Sequence, residues 1–190
     1  MLSLRADLTD TIMIENERES RHEHILNVAR QMMTAARTAP KGKGVDIIEI
    51  AMVTDSNIRI LSETMKQMYE DNGLKFFLRD ADNILDAECI ILIGTRELPQ
   101  GLNCGHCGFP TCADRLEGVP CAINSVDVGI AIGSACATAA DNRVDTRVMF
   151  SAGLAAQQLD WLDGCTQVYA IPVSASSKNP FFDRKPKTTT

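Results

Sequence analysis

The chain has 190 residues, 45% hydrophobic and 23% charged, which is the profile of one globular domain able to bury a core without disulfides. Its net charge of -6 argues against a surface that follows nucleic-acid phosphates, so we expect no nucleic-acid partner, and a partner protein would more readily be basic. The N-terminus carries no apolar run suited to a signal peptide, and no stretch approaches the length that spans a bilayer, so we expect a cytoplasmic protein without a membrane partner.

Helical and strand patterns alternate along the first half of the chain. Apolar residues at helical spacing predict an amphipathic helix from Asn16 to about Arg37, ended by Ala39-Pro40 and a polar turn. The elements predicted after it are a buried strand at 47–53, a helix ending at 71–73, a short helix at 79–87 and a buried strand at 89–94.

A cysteine-rich segment follows the second predicted strand. Four of the seven cysteines fall within eighteen residues, spaced Cys-x2-Cys-x4-Cys-x8-Cys: Cys104, Cys107, Cys112 and Cys121. Four thiols on one short loop are expected to converge on one centre only where they bind a soft metal ion or an iron–sulfur cluster. Gly105 and Gly108 let the backbone wrap closely and aim N–H groups at sulfur, which favours a [4Fe-4S] cluster held by the four cysteines.

Zinc and, after it, a disulfide pair are the alternatives to the cluster. Structural zinc sites usually show two Cys-x2-Cys pairs set well apart, or histidine among the ligands, whereas this loop has one such pair. With four thiols present, His106 is expected to face solvent or lie behind the ligands. The other cysteines are interpreted as small buried hydrophobes, and the apolar helical setting of Cys136 argues against it as a substitute fourth ligand. These remaining cysteines are Cys89, Cys136 and Cys165.

The second half of the chain predicts a helix and two further strands. The run 125–137 is apolar nearly all round, which predicts a central helix packed by neighbours on every side. Asp127 falls near its predicted start, where the helix dipole already explains a carboxylate. A strand at 147–151, a helix at 152–162 carrying Trp161 and a strand at 167–173 are predicted next. Pro172 cannot donate to a sheet, so the last strand is expected at an edge or to end there, and 185–190 is expected to be disordered.

The cysteine loop resembles a known cluster domain. The residues from Asn103-Cys104-Gly105 to Cys107-Gly108-Phe109-Pro110-Thr111-Cys112-Ala113, with Leu98-Pro99 before them, are similar to the small four-iron domain of Rnf-type electron-transport subunits and of the corrinoid iron–sulfur protein. The resemblance implies electron transfer through a [4Fe-4S] cluster. In that family the fourth cysteine usually lies further along than Cys121 does here.

The order of elements resembles the nitroreductase family. Arg18-Glu19-Ser20-Arg21, Ala39-Pro40, Asp127-x-Gly129-x-Ala131 and Ala170-Ile171-Pro172 stand where that family has comparable segments, although the Arg/Ser segment is one residue shorter and the Asn expected near the flavin is missing. The resemblance implies a homodimer with FMN at the subunit interface. It implies phosphate contacts from Arg18, Ser20 and Arg21, with help from Lys43, Lys178 or Arg184.

The two resemblances together are similar to uncharacterised prokaryotic proteins known only for a ferredoxin domain, a group that the ending from Pro172 to Arg184 also fits. We therefore predict an α+β protein of the three-layer α/β type. A nitroreductase-like mixed sheet would be flanked by helices within one domain over 1–190, with the cluster loop inserted at 98–122.

Three functions follow from these patterns. The first is an iron–sulfur redox protein that passes electrons between the cluster and a flavin, and if it is an enzyme it is a flavin-dependent oxidoreductase. The second is an electron carrier or redox sensor with the cluster as its one centre, and either of these could use a redox partner protein. The third is a protein in which zinc holds the loop and the domain binds a partner.

Overall fold

The computed structural model describes residues 14–182, so the predicted disorder at 185–190 and the predicted contact Arg184 lie outside the described residues. The helices and strands are, in chain order, α1 (Glu17–Thr38), β1 (Ile48–Val53), α2 (Ser56–Asn72), α3 (Phe76–Ile84), β2 (Cys89–Arg96), α4 (Ala122–Asp141), β3 (Asp145–Thr146), α5 (Phe150–Gln158) and β4 (Cys165–Ser174). The three-layer α+β class is confirmed.

The sheet has the strand order β1-β2-β4-β3. All three strand pairs in the described chain are antiparallel, so the sheet is not mixed as the resemblance implied. β2 lies inside the sheet, and seven of its eight residues are buried, from Cys89 to Thr95. Because its Cβ atoms alternate between the two faces, one apolar strand supplies both cores of the protein.

Helices cover both faces of the sheet. On one face, α1 and α4 pack against Ile91 and Ile93 of β2 and Ile171 of β4. On the other face, α2, α3 and α5 pack against Ile90 and Leu92 of β2. This alternation explains why 89–94 is a continuous apolar run without the polar residues of a half-exposed strand.

Short-range contacts set the helix ends, and the predicted stop of the second helix is among them. Asn16 caps α1, because its Oδ1 accepts a hydrogen bond from the Arg18 backbone N–H at 3.1 Å. At the end of α2, Gly73 takes the left-handed conformation (φ 72°) and its N–H donates to the Tyr69 carbonyl. The predicted helix at 79–87 is shifted by three residues, since α3 already begins at Phe76.

The region after α4 differs from the prediction. The expected strand at 147–151 is wrong, because β3 spans only Asp145–Thr146 and α5 begins at Phe150. Met149 makes one isolated bridge to Ala170 of β4. α5 ends at Gln158, so Trp161 lies beyond the helix and not on it.

β4 lies inside the sheet, which corrects the expectation that Pro172 marks an edge. Ala170 exchanges both backbone hydrogen bonds with Met149, so the nitrogen of Ala170, and of Pro172 two residues on, faces away from β2. β3 pairs with β4 only as far as Thr146, opposite Val173. The missing N–H of Pro172 therefore falls where the short strand β3 stops, and the β2 ladder is unaffected.

α4 is longer than predicted and is not enclosed on every side. It begins three residues earlier than expected and leaves a row of apolar and small residues facing out: Val126, Gly129, Ile130, Gly133 and Ala137. The expectation that no stretch approaches the length of a membrane span is wrong, because α4 is long and apolar enough for one by length and mean hydropathy alone. Within the protein, 33% of its most apolar 18-residue stretch is buried. Its other face packs in the core with α1, and it carries the buried Asp127.

Gly153 allows α5 to lie directly on β4. A Cβ atom at this position would stand 2.0 Å from the Val168 carbonyl oxygen, which is backbone and cannot move aside cheaply. We expect Gly153→Ala to lower the free energy of unfolding by about 2 kcal/mol even after the gain in helix propensity. Urea unfolding measures this. Gln158→Ala, an exposed position on the same helix, should change stability by less than about 0.5 kcal/mol, and equal stabilities of the two variants would contradict the close packing.

Candidate functional site

The cysteine loop leaves and re-enters the fold at the C-terminal end of β2. It begins with Glu97, one residue after β2, and ends at Cys121, one residue before α4. The two ends are joined, because the Asn124 side-chain amide in the first turn of α4 donates to the Arg96 carbonyl at 3.2 Å. The predicted position of the loop at a strand end is confirmed, and its base is fixed to the most buried strand.

Inside the loop, Asn103 and Cys112 hold each other. The Cys112 backbone N–H donates to Asn103 Oδ1 at 2.8 Å, and the Asn103 backbone N–H donates to Cys112 Sγ at 3.4 Å. Between them the chain reverses through Gly105 (φ 72°) and Gly108 (φ 89°), conformations that residues with a Cβ rarely adopt. Cys112 therefore already has the N–H···S contact that stabilises a thiolate or a sulfur ligand.

The four cysteines differ in exposure. Cys104 is exposed, Cys107 and Cys112 are half-buried, and Cys121 is buried. Within residues 14–182, no three Cys, His, Asp or Glu side chains are grouped closely enough to hold a metal ion, so the sulfurs are not gathered into a ligand sphere. The donor set itself fits a thiolate-bound cluster in kind and number, since four free thiols share one irregular segment. His106 is exposed, as expected.

Cys121 occupies the N-cap position of α4. Its side chain makes no capping hydrogen bond, so it does not satisfy the first N–H groups of the helix. These groups carry the positive end of the helix dipole, which would stabilise an anionic metal centre bound at this position.

The three other cysteines are not part of the loop and fit the interpretation as packed thiols, although Cys165 lies opposite Arg96 at the point where the loop begins. Burial raises the pKa of Cys89 to about 12 and that of Cys165 to about 11, and it also raises the pKa of Cys136. A higher pKa lowers the thiolate fraction at neutral pH, and the thiolate is the form that binds metal. Cys136 is therefore a poor replacement for Cys121.

An ion pair crosses the base of the loop. Arg115, between Cys112 and Cys121, pairs with Glu97 and donates to the Val119 carbonyl. Glu97 also accepts a hydrogen bond from the Thr166 hydroxyl, at the start of β4, at 3.0 Å. Sequence reasoning missed this pair, although Arg115 is the one Arg or Lys in 97–121 and that isolation was a usable signal.

Unsatisfied polar atoms collect at the same place. Asn124 Oδ1, Gln167 Nε2, Arg115 Nε and Glu97 Oε1 are buried without a hydrogen-bond partner among the described residues, although Glu97 Oε1 lies within ion-pair distance of the Arg115 guanidinium. Gln167 is nevertheless held, because its Oε1 accepts from the Ser125 hydroxyl at 2.9 Å. Buried polar atoms are normally paired, so the base of the loop is more polar than a closed core requires.

The predicted flavin contacts fall into two places. Arg18, Ser20 and Arg21 lie in the first turns of α1, and Arg21 is already paired with Glu17 at 2.5 Å. Two contacts place this end of α1 beside the end of β4: His22 Nδ1 lies 2.7 Å from Glu88 Oε2, and the Glu88 N–H donates to the Val173 carbonyl. The exposed Lys178 lies four residues after this end of β4 in the chain.

Lys43 lies at the opposite end of α1. The 22 residues of α1 separate it from Arg18 by about 30 Å, so one copy of the chain does not bring the two together. Lys43 instead contacts the cysteine loop, because its Nζ donates to the Gln100 carbonyl at 3.1 Å. The predicted flavin contacts that the structure describes therefore lie at two opposite ends of α1, and Lys43 is the one that contacts the cysteine loop.

Asp127 fixes the turn that carries Lys43. The carboxylate is 3% exposed, and both of its oxygens accept the Gly42 N–H at 3.0 Å. A Cβ at Gly42 would stand 2.7 Å from Ile123 Cγ2, so only glycine lets the turn approach α4 this closely. The dipole explanation for Asp127 is wrong, because α4 begins at Ala122 and places the carboxylate beyond the first turn.

Comparison with known proteins identifies the family. A model of the family described as "Uncharacterized protein containing a ferredoxin domain" matches residues 117–184, which include Cys121 but not the three cysteines before it. An uncharacterized protein of Archaeoglobus fulgidus is 40% identical over 185 residues, which is 92% of this chain and 100% of that protein. The relationship therefore runs through nearly the whole chain, loop included.

Solved structures share the fold. A nitroreductase with bound FMN from Desulfitobacterium hafniense has a TM-score of 0.56 at 14% identity, covering 86% of each chain. An oxidoreductase containing FMN has a TM-score of 0.55 at 13% identity, covering 80% of this chain and 67% of that one. The chain spans only 58% and 61% of two further structures, from Bacillus subtilis and B. megaterium.

The nitroreductase-like fold expected from the order of elements is thereby confirmed. The ferredoxin domain in the family description indicates an iron–sulfur cluster and a redox function, and nothing in these comparisons points to zinc. The chain belongs to the family of uncharacterized proteins containing a ferredoxin domain.

Proposed function

We propose that this protein is an iron–sulfur redox protein that holds a [4Fe-4S] cluster on Cys104, Cys107, Cys112 and Cys121 and exchanges electrons with FMN. The observation that carries the proposal is the four-thiol loop rooted between β2 and the N-terminus of α4, on a nitroreductase-like scaffold. When bound, the cluster would supply one-electron transfer and the flavin two-electron chemistry on a small substrate.

The chain contributes three things to the cluster. Four thiols supply the ligands, the start of α4 supplies positive dipole at Cys121, and Asn103 supplies an N–H to Cys112 Sγ. Because the sulfurs are not gathered in the structure, binding would have to draw them together. Metal binding and ordering of the ligand loop are commonly coupled in this way.

A flavin site built from the predicted contacts needs two copies of the chain. Arg18, Ser20 and Lys178 lie near one end of α1 and Lys43 lies near the other. A single flavin site can therefore include all four residues only if a second copy supplies Lys43. The exposed row on α4, from Val126 to Ala137, is a surface that such a homodimer could bury. Because Lys43 also contacts the cysteine loop, this arrangement would set the cluster beside the flavin.

A carrier or sensor with the cluster as its one centre is the second candidate. Two observations favour it: Arg21 is already paired with Glu17, and Lys43 lies far from Arg18 within one copy. Flavin analysis separates the two candidates, because only the first retains FMN.

The cluster proposal is tested by metal analysis of protein purified without oxygen. We expect about four iron atoms and matching sulfide per chain with little zinc, and a brown colour. Cys107→Ser should lose most of the iron and the visible absorbance, because it removes a central ligand. Cys136→Ser removes a thiol outside the loop and should keep both. Full cluster absorbance in Cys107→Ser would show that the ligand assignment is wrong, and a wild-type protein free of iron would end the proposal.

Asp127 should hold the turn that the flavin site uses. Asp127→Ala removes the acceptor of the buried Gly42 N–H, so we expect the free energy of unfolding to fall by about 1–3 kcal/mol and bound FMN to be lost on dialysis. Asp127→Asn keeps an oxygen acceptor and should retain most of both. Urea unfolding and flavin released on boiling are the two measurements. An alanine variant as stable and as yellow as wild type would remove Asp127 from the site.

We expect the exposed face of α4 to form the dimer interface. Ile130→Asp puts a charge into the apolar row, so we expect a monomer in light scattering coupled to size exclusion, with flavin content reduced. Leu154→Asp is the matched control, because Leu154 on α5 is 40% exposed, as Ile130 is. It should stay dimeric. A monomeric wild type, or a dimeric Ile130→Asp, would reject this interface.

A further inference from the structure

Arg115 and Glu97 form an ion pair in which both side chains are largely buried. Their side chains are 12% and 25% exposed, whereas the i,i+4 pair Arg21–Glu17 on α1 is 30% and 70% exposed. Exposed pairs contribute little because water screens them, whereas charges partly withdrawn from water are screened less. Arg115 and Glu97 are therefore charges whose fields reach their neighbours.

The pair sits where the cysteine loop is closed. Arg115 lies three residues after Cys112 and six before Cys121, while Glu97 lies at the point where the loop leaves β2. Thr166 holds the carboxylate and the Val119 carbonyl holds the guanidinium, so neither charge is free to swing into solvent. The other acids of the loop beyond Glu97, Asp114 and Glu117, are exposed and screened.

We propose that Arg115 and Glu97 are positioning residues that set the reduction potential of the cluster with opposite signs. This inference rests on the proposed function. Reduction adds one electron from a low-potential donor to the cluster; no bond to the protein forms or breaks. The added negative charge is stabilised by the fixed cation Arg115 and opposed by the fixed anion Glu97.

Opposite signs distinguish this role from simple support of the loop. Arg115→Gln leaves the carboxylate alone, so the potential should shift to a more negative value. Glu97→Gln leaves the guanidinium alone while keeping an acceptor for Thr166, so the potential should shift to a more positive value. Loss of support would instead damage the site in the same direction in both variants.

Two further variants complete the test. Arg115→Lys keeps the charge and should stay within a small shift of wild type, although it loses the planar guanidinium. The double variant Arg115→Gln with Glu97→Gln removes both charges, so its potential should return toward that of wild type. Arg59→Gln on the exposed surface of α2 is the control for loss of a positive charge and should not shift the potential.

The experiment is an anaerobic titration of full-length protein with dithionite, followed by visible absorbance and electron paramagnetic resonance. Iron content and thermal stability are measured on the same samples, so a variant that fails to assemble is identified. If Arg115→Gln does not assemble, the remaining comparison of Glu97→Gln with wild type still decides the sign.

The outcomes separate this inference from the proposed function. Shifts of opposite sign in the two single variants support the inference. Clusters present in wild type and variants with equal potentials, or with shifts of the same sign, overturn it and leave the proposed function standing. A wild type without iron overturns both.

Discussion

The two-sided burial of β2 is the constraint on which the rest of the structure depends. Its odd-numbered residues from Cys89 to Ile93 face α1 and α4, and its even-numbered residues face α2, α3 and α5. A strand held from both faces has little freedom at its ends. Whatever leaves from its C-terminal end therefore starts from a fixed point, and the cysteine loop leaves from there.

That fixed point controls both ends of the loop. The Arg96 carbonyl holds Asn124 in the first turn of α4, and Glu97 holds Arg115 within the loop. The loop is thus anchored where it departs, at Arg115 six residues before its end, and where it returns, while Cys104 stays exposed. A fixed base, with cysteines that are not gathered in the structure, fits a loop that closes around an inorganic centre when that centre binds.

Much of the fold could be predicted from the sequence because its signals were local. Asn16, Gly73 and the run 89–94 each determine their element through short-range chemistry: a cap, a left-handed stop and a buried strand. The strand expected at 147–151 failed because Met149 and Phe150 are apolar and strand-like, yet α5 must begin there to pack on β4. Tertiary packing overrode local preference.

The errors at α4 and Pro172 have a different physical source. A run of small and apolar residues looks the same whether its outer face meets the same chain or a second molecule, so composition alone could not reveal the exposed row from Val126 to Ala137. Pro172 predicts a strand at an edge, or one that ends there, because proline would cost a central strand a ladder hydrogen bond. The neighbour is the two-residue strand β3, so the missing donor removes almost nothing.

The candidate site was predictable in its ligands and not in its supports. Cysteine spacing is visible in one dimension, whereas the pairing of Arg115 with Glu97 and of Asp127 with Gly42 joins residues that only the fold brings together. Asp127 shows how a local explanation can hide a tertiary one. A carboxylate near a helix start needs no further account until the helix is seen to begin five residues earlier.

α4 connects these separate parts of the site. Its first residues follow Cys121, its Asn124 and Asp127 hold the end of β2 and the turn bearing Lys43, and its outer face is the surface proposed for a second copy. In that arrangement the cluster loop and the partner's α1 would be positioned by one helix. Because α4 would carry both the end of the loop and the contact with the partner, the separation between cluster and flavin would depend on the packing of α4 as well as on how the loop closes around the cluster.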